Sequence, residues 1–388
     1  MKYPGYAWNS SVNFAVGDIV GDYEVIGQIG AGGMGAVYKV RHLIADRIEA
    51  IKVVLADVNV SDTLAERFIR EIRLQASLVH PNIASLHTAL RVNNQLLMVM
   101  EFVEGVNLRD RFRAGGLTLG DALDYGCQIL SALDYAHGRG VIHRDIKPAN
   151  VMITPEGRVK LLDFGIARAK EDQRGLTQTG AVIGSLPYMS PEQVRSEPVD
   201  ARSDLYSFGA TLYEIVAGRK PIRGESDFTI MTGHLEQIPE LPCEVNPAVP
   251  LAVSDVIMKC LAKQPDERFQ SAAEALARLQ MARDTPVNAT MTIPVVPYAS
   301  GAKDARTPDR GSQTPVSASV SKTLDSTAID AAAKELAKYI GPIARVIAQR
   351  EAKRTQNVKQ FYEKLAEEIP SGKDREKFLN TRSRHGRA

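Results

Sequence analysis

Glycines recur in one short run near the N-terminus, and the residues after them constrain how this part of the chain can fold. Gly30, Gly32 and Gly35 form the pattern G-x-G-x-x-G in the segment GAGGMGAV. The pattern occurs in dinucleotide-binding turns that open a helix, in loops between two strands that cover a nucleotide, and in plain turns. The residues after Gly35, AVYKVRHL, lack a helical stripe and predict a strand. A loop between two strands is therefore favoured, and nearby Glu49 is given no part in nucleotide binding.

The composition is that of an ordinary globular protein and excludes several other classes. The 388 residues are 44% hydrophobic and 24% charged, and the net charge of +2 gives no strong field for nucleic acid or a membrane surface. The three cysteines are widely spaced, which argues against a disulfide framework and fits a reducing compartment. The sequence has neither a secretory signal nor an apolar run long enough to span a bilayer. We therefore expect no membrane span and a cytoplasmic location.

The pattern of apolar residues changes along the chain and predicts an α+β protein with several segments. Residues 18–105 read as short strands around one helix, whereas residues 107–281 read as mostly helical. The stretch 284–325 is rich in proline, serine and threonine and has no periodicity, which predicts a disordered linker. Helical periodicity returns over 326–388, where we predict a small helical module, and residues 1–17 are expected to be flexible.

Short motifs downstream of the glycines place charged residues in contexts that suit phosphate chemistry. Lys52 lies on the next predicted strand, where a cation can hold phosphates, and Glu71 lies on the predicted helix, from which it can pair with that lysine. Each residue alone would be read as a surface charge or a loop residue. The further motifs are HRDIKPAN, with Asp145 and Asn150, then DFG, with Asp163, and then SPE at 190–192.

In this order the motifs resemble the eukaryotic-like (Hanks-type) serine/threonine protein kinases of bacteria, and most of all the subfamily whose glycine loop reads G-x-G-G-M-G. The resemblance covers about residues 18–281. It implies a two-lobed protein kinase fold, with a β-rich small lobe over 18–104 and a helical large lobe over 105–283. It also implies transfer of the γ-phosphate of ATP to serine or threonine hydroxyls of proteins, with Mg²⁺ or Mn²⁺ as the metal ion.

The resemblance gives roles to the residues nearest the reacting groups. Asp145 would orient the acceptor hydroxyl in line with the γ-phosphate. Lys147 would touch that phosphate, which favours serine or threonine over tyrosine as the acceptor. Lys52, aimed by Glu71, would hold the α- and β-phosphates. The residues that offer the hard oxygen ligands preferred by Mg²⁺ are Asn150 and Asp163.

The resemblance also places the nucleotide. Apolar side chains would enclose the adenine, Met100 would stand as the gatekeeper at the back of the pocket, and the backbone of Glu101 and Val103 would pair with the adenine edge. The expected ATP-binding residues are Ile29, Gly30, Ala31, Gly32, Gly33, Met34, Gly35, Ala36, Val37, Ala50, Lys52, Met100, Glu101, Val103 and Met152.

Regulation is implied by Arg144, the arginine before the catalytic aspartate. In kinases with this arginine, phosphate on the activation loop neutralises a basic pocket and orders the loop. The loop here holds Thr177 and Thr179, which resemble the autophosphorylated pair of the bacterial family. Ser185 stands where the family often has threonine, and since both carry a hydroxyl we expect little change.

Other residues resemble structural parts of the large lobe. Asp204 resembles the helix aspartate that braces the catalytic loop, and Glu192 with Arg268 resembles a buried ion pair. His143 is expected to be a buried structural histidine and not a catalyst.

The C-terminal segment 326–388 holds 14 Lys or Arg against 8 Asp or Glu. Because these charges are interspersed, a solvated helical surface is the default interpretation, and nucleic acid is not an expected partner. The segment loosely resembles a small helical module of bacterial signalling proteins, so we expect it to bind a protein.

Two alternatives to an active kinase remain open at this stage. One is a pseudokinase scaffold that binds nucleotide or partners without catalysis, and the other makes the C-terminal module the main output. The complete set of catalytic residues argues against the scaffold. Beyond protein substrates, the subfamily resemblance implies transient homodimers.

Overall fold

The computed structural model describes most of the chain from residue 14 to residue 284 and part of the C-terminal segment. The described residues are 14–32, 35–55, 69–70, 72–92, 95–164, 185–284, 358–367 and scattered positions between 332 and 379. The predictions that lie outside them concern residues 1–13, Gly33, Met34, Glu71, Thr177, Thr179 and the linker beyond Asp284. The chain divides into two compact units, Met1–Ile293 and Pro294–Ala388.

Six antiparallel strands form the sheet of the N-terminal part. The strands are β1 (Ile19–Val20), β2 (Tyr23–Gly32), β3 (Gly35–His42), β4 (Ile48–Leu55), β5 (Leu86–Val92) and β6 (Gln95–Glu101). Their order in the sheet is β1-β2-β3-β4-β6-β5. Side chains alternate between the two faces of a strand, so Ile51 and Val99 join one buried cluster while Ala50 and Met100 join another. Ile72, in the helical stretch after residue 68, packs in the second cluster.

The glycine segment lies in a hairpin between two strands, as the sequence predicts. Strands β2 and β3 pair with Gly30 opposite Val37 and Gly32 opposite Gly35. Because β3 starts at Gly35, no helix opens there, and the dinucleotide-turn alternative is wrong.

A second, smaller sheet follows the six-stranded one, and a glycine lets the backbone pass close to it. Strands β7 (Val106–Asn107), β8 (Val151–Ile153) and β9 (Val159–Leu161) form a second small sheet. Gly105, just before β7, has φ +150°, and a Cβ there would lie 2.1 Å from the carbonyl oxygen of Ile153. Only glycine fits this position, so the connection is held against β8.

Helices make up the rest of the first unit and enclose its largest core. They are α1 (Leu108–Arg113), α2 (Leu119–His137), α3 (Pro191–Val194), α4 (Ala201–Ala217), α5 (Asp227–Glu236), α6 (Pro242–Val245), α7 (Leu251–Cys260) and α8 (Ala272–Asp284). Helix α4 is buried along most of its length. At Gly209 in α4 a Cβ would lie 2.6 Å from the Cβ of Cys260, so this glycine allows α7 to approach closely. The helix ends at Gly218, which has the left-handed conformation that glycine adopts readily at a helix C-terminus.

The second unit contains helix α9 (Val358–Glu367) and several buried apolar side chains. Phe361, Leu365 and Phe378 are fully buried, and the ring of Tyr362 lies 5.7 Å from that of Phe378. In the part of the chain that the structure describes, none of the helices has both the length and the apolar character needed to cross a membrane.

Candidate active site

Asp204 in α4 fixes the loop that carries the candidate catalytic residues. This carboxylate is fully buried and accepts hydrogen bonds from the backbone N–H of His143 and of Arg144, each at 2.7 Å. His137, at the end of α2, lies 2.8 Å from the same carboxylate through its Nε2. The brace predicted for Asp204 is confirmed, whereas the part of His137 could not be seen in the sequence.

Arg144 adopts a conformation that needs this support. Its φ is +67°, in the left-handed region that side chains other than glycine rarely adopt. Besides the bond from its N–H to Asp204, its carbonyl oxygen accepts from Nε2 of Gln193 at 3.0 Å. Among the described residues nothing accepts from its buried Nε, so the guanidinium retains a donor for a ligand.

His143 is a buried structural residue, which confirms the sequence prediction. Its Nε2 donates to the carbonyl oxygen of Leu162 at 2.8 Å, and its Nδ1 accepts from the backbone N–H of Asp145 at 3.3 Å. One donating and one accepting nitrogen are the mark of a neutral ring. Burial lowers the pKa of His143 and outweighs the neighbouring carboxylates, of which Asp204 is the largest influence, so the ring stays neutral.

The side chains of Asp145, Lys147 and Asn150 contact one another in the candidate reaction centre. The Lys147 ammonium donates to the Asp145 carboxylate and to the hydroxyl of Ser185, each at 2.7 Å. The amide nitrogen of Asn150 donates to the Asp145 carboxylate at 2.9 Å. This turns the amide oxygen of Asn150 away from the Asp145 carboxylate.

Lys52 reaches Asp163 from β4 of the six-stranded sheet. Their side chains form an ion pair at 2.5 Å, and Lys52 is largely buried. Burial acts to raise the pKa of Asp163, but the charge of Lys52 and its hydrogen bond outweigh burial and hold the pKa below its ordinary value. Asp163 is therefore an anion at neutral pH. The expected partner Glu71 lies outside the described residues.

The residues present fit a magnesium ion. Asp163 offers an ionised carboxylate and Asn150 an amide oxygen, which are the hard ligands that Mg²⁺ takes alongside substrate phosphates. The backbone N–H of Leu162 donates to the carbonyl oxygen of Asn150 at 2.9 Å, so the chain segments of the two ligands are tied together.

An apolar surface lies beside this charged centre. Ala50 and Met100 are buried opposite each other on β4 and β6, and half-buried Val37 packs against their cluster. The side chain of Met152 lies on β8, where it is half-buried, while that of Ile29 on β2 is half-exposed. These positions suit a site for a flat apolar ring.

The last residue of β6, Glu101, has a brace that sequence reasoning missed. Lys160 on β9 forms an ion pair with Glu101 at 2.8 Å, and the backbone N–H of Glu101 donates to the carbonyl oxygen of Ser85 at 2.9 Å. These contacts join positions far apart in sequence, so no local pattern could indicate them.

Glu49 faces away from this surface. It precedes Ala50 on β4 and therefore points to the other face, where it is fully buried, accepts from Arg47 at 2.7 Å and contacts His87. This agrees with giving Glu49 no part in nucleotide binding.

A buried ion pair ties the segment at 190–192 to the far side of the large lobe. The Arg268 guanidinium donates to the two carboxylate oxygens of Glu192 at 2.8 and 2.9 Å, and Ser203 donates to the same group at 2.6 Å. Burial acts to raise the pKa of Glu192, but the hydrogen bond from Arg268 prevails and the pKa is lowered. The predicted pair is confirmed.

Two family models match the chain. The protein kinase domain matches residues 23–279, and a domain of unknown function (DUF8082) matches residues 327–386. The second match falls on the predicted helical module.

Curated relatives are bacterial serine/threonine kinases. A probable serine/threonine-protein kinase of Streptomyces coelicolor is 41% identical over 277 residues, which cover 70% of this chain and 41% of the relative. Serine/threonine-protein kinase PknB of Mycobacterium leprae is 39% identical over 262 residues, which cover 66% of this chain and 42% of the relative. The chain thus matches about two fifths of the length of these relatives.

A solved structure agrees with the family match. The kinase domain of Mycobacterium tuberculosis PknI has a TM-score of 0.57 and 30% identity, covering 70% of this chain and 99% of that one. The two-lobed α+β architecture predicted from the sequence is confirmed. Because the family model matches well over half of the chain's residues and the fold agrees with it, the chain belongs to the protein kinase family.

Proposed function

We propose that this chain is a serine/threonine protein kinase that transfers the γ-phosphate of ATP to protein hydroxyls with the help of Mg²⁺. The observation that carries the proposal is the convergence of Lys52, Asp145, Lys147, Asn150 and Asp163 in connected ion pairs and hydrogen bonds. Phosphoryl transfer depends mostly on positioning and on neutralising charge, and this set supplies both.

Asp145 is the proposed acceptor-binding residue. Its carboxylate would accept a hydrogen bond from the substrate hydroxyl and take its proton as the bond to phosphorus forms. Lys147, 2.7 Å from that carboxylate, would neutralise charge on the transferred group. The hydrogen bonds from Lys147 and Asn150 hold the carboxylate in one orientation before substrate binds.

Lys52, Asp163 and Asn150 form the proposed phosphate and metal site. Lys52 would move its charge from Asp163 to the α- and β-phosphates when the nucleotide binds. Asp163 and Asn150 would hold Mg²⁺, which supplies charge neutralisation at the β- and γ-phosphates. We place the adenine between the apolar side chains of Val37 and Met152 and keep the other nucleotide contacts predicted from the sequence.

The proposed activity is tested with purified full-length chain, labelled ATP and a generic protein substrate. We expect label on serine or threonine and not on tyrosine, and loss of transfer when EDTA removes the divalent metal. A folded chain that binds ATP and transfers no phosphate to itself or to the substrate would instead be a pseudokinase scaffold.

We also propose activation through autophosphorylation of Thr177 or Thr179. What supports this is Arg144, whose buried Nε has no acceptor among the described residues and could donate to a phosphate. Phosphopeptide mapping of fully active enzyme should find phosphate on at least one of the two threonines, and an unmodified loop in such enzyme would remove the proposal.

The remaining proposals concern the whole chain. We assign the kinase domain to 18–283, a linker to 284–325 and a protein-binding helical module to 326–388, in a cytoplasmic protein that pairs transiently. Removing residues 326–388 and measuring kinase activity and the mass of the particle in solution tests whether the main function of the protein belongs to this module or to the kinase domain.

A further inference from the structure

Ser185 lies at the centre of the proposed reaction site and is held there. Its hydroxyl is 2.7 Å from the Lys147 ammonium, which is itself 2.7 Å from the Asp145 carboxylate. The residues directly after it, 186–190, are all buried, and the backbone N–H of Tyr188 donates to the carbonyl oxygen of Ser185 at 3.0 Å. The contact therefore belongs to an anchored segment.

We infer that Ser185 is an acceptor for the chain's own kinase activity, and that phosphate on Ser185 switches this activity down. The inference rests on the proposed kinase function. Its basis is that a primary hydroxyl of the same chain lies beside the lysine and the aspartate that handle the acceptor group. A tethered acceptor is present at a very high effective concentration, so transfer within one chain is favoured.

The step balances with the reagents of the proposed function. The bond from the Ser185 oxygen to the γ-phosphorus forms while the bond from that phosphorus to the β,γ-bridging oxygen of ATP breaks. The hydroxyl proton passes to Asp145, and ADP leaves. The product is a phosphoserine and no further reagent is consumed.

The phosphate would act on the site in two ways. It would pair with the Lys147 ammonium, which then no longer serves the γ-phosphate of a new ATP. It would also place like charge near Asp145 and occupy the space that an acceptor hydroxyl needs. We expect activity on an added protein substrate to fall on the order of tenfold or more as a result.

Ser190 on the same segment is an internal comparison. It is fully buried, and its hydroxyl accepts from the backbone N–H of Gln193 to cap α3. It therefore has a structural partner and no access to the reaction site, and we expect no phosphate on it.

Mass spectrometry of the full-length chain after incubation with Mg-ATP tests the acceptor role. We expect phosphate at Ser185, located by fragmentation apart from Thr177, Thr179 and Ser190. A mixture with a tagged Asp145→Asn chain should leave Ser185 of the tagged chain unmodified. A chain that phosphorylates an added substrate while Ser185 stays free of phosphate would overturn the inference and leave the proposed function intact. Phosphate at Ser185 of the tagged chain would do the same, because it would mean transfer between chains.

Activity before and after incubation tests the switch. The natural chain and Ser185→Ala are incubated side by side, because both can gain the proposed activating phosphates at Thr177 and Thr179 while only the natural chain can gain phosphate at Ser185. Activity relative to its starting value should become lower in the natural chain than in Ser185→Ala, and phosphatase treatment of both should remove this difference. If Ser185→Ala is inactive, fractions of the natural chain that carry the same phosphate at Thr177 and Thr179 but differ at Ser185 are compared, and lower activity in the fraction with phosphate at Ser185 remains decisive. Full occupancy at Ser185 with unchanged activity would contradict the switch.

Discussion

Single ionised side chains hold this site together, and their charges depend on one another. Asp163 stays an anion in a partly buried position because the Lys52 ammonium lies 2.5 Å away. Arg268 does the same for Glu192 on the other side of the large lobe. Removing either cation leaves a buried carboxylate without its counter-charge.

Lys52→Met should alter the acid dependence of stability. The folded pKa of Asp163 lies below its ordinary value of 3.8, so its ion pair stabilises the native state above that pH and is lost as pH falls through the folded pKa. The difference in free energy of unfolding between the natural chain and Lys52→Met should therefore be largest near neutral pH and should shrink in acid. Urea unfolding at neutral pH and near pH 3 measures it, and a difference that grows in acid would contradict the assignment.

Arg268→Met should destabilise the chain strongly. The change removes both guanidinium donors from the buried carboxylate of Glu192, and breaking such a pair costs about 3–5 kcal/mol. The matched control is Arg41→Met, because Arg41 pairs with Glu24 on the exposed surface of the six-stranded sheet. Urea unfolding should show a large loss for Arg268→Met and little change for the control, and equal losses would mean that burial does not govern the pair.

The elements of the fold carry these residues to one place. Helix α4 presents Asp204 to the catalytic loop at one end and is approached closely by α7 at Gly209. Strand β4 brings Lys52 to Asp163 across a sequence separation of 111 residues. A shift of α4 or β4 would therefore displace charged side chains that the proposed phosphoryl transfer needs.

Asp204→Asn should lower kcat much more than it changes the KM for ATP. The carboxylate accepts two backbone N–H groups at 2.7 Å, and an amide can accept from one side only. The left-handed Arg144 and the neighbouring Asp145 would lose their fixed position, and a small misplacement can cost on the order of 10² in rate. Steady-state kinetics with circular dichroism as a folding check measures this, and an unchanged kcat would show that the brace has no part in catalysis.

Gly209→Ala tests the contact between α4 and α7. The new Cβ would lie 2.6 Å from the Cβ of Cys260, so the helices must move apart at a cost of about 1–3 kcal/mol. Gly27→Ala is the control, since a Cβ there meets nothing within 4 Å. Thermal unfolding should show a lower Tm for Gly209→Ala, and an equal effect of both changes would contradict the packing argument.

The sequence predicts the parts of this site better than the contacts between them. The motifs around Lys52, Asp145 and Asp163 predict the fold and the central residues, because each has a local pattern that the chemistry restricts. The contact of His137 with Asp204 and that of Lys160 with Glu101 stay hidden, since the fold joins residues that are far apart in the chain. The approach of Ser185 to Lys147 is of the same kind.

At the scale of the whole molecule, the chain divides into two compact units. The kinase unit buries its own large core, and the second unit buries Phe361 and Phe378. A chain ending after residue 283 should therefore fold and keep Mg²⁺-dependent transfer to a generic substrate. Circular dichroism and an activity assay check this, and a truncated chain that cannot fold would show that the kinase unit depends on the C-terminal segment.

The central claim is that the connected set around Asp145 performs phosphoryl transfer, and Asp145→Asn tests it most directly. The substitution keeps the size of the side chain but removes the group that receives the acceptor proton. We predict that phosphate transfer to protein substrate falls at least on the order of 10³-fold, while the affinity for Mg-ATP and the Tm stay near those of the natural chain. Transfer at the natural rate by folded Asp145→Asn enzyme would contradict the account.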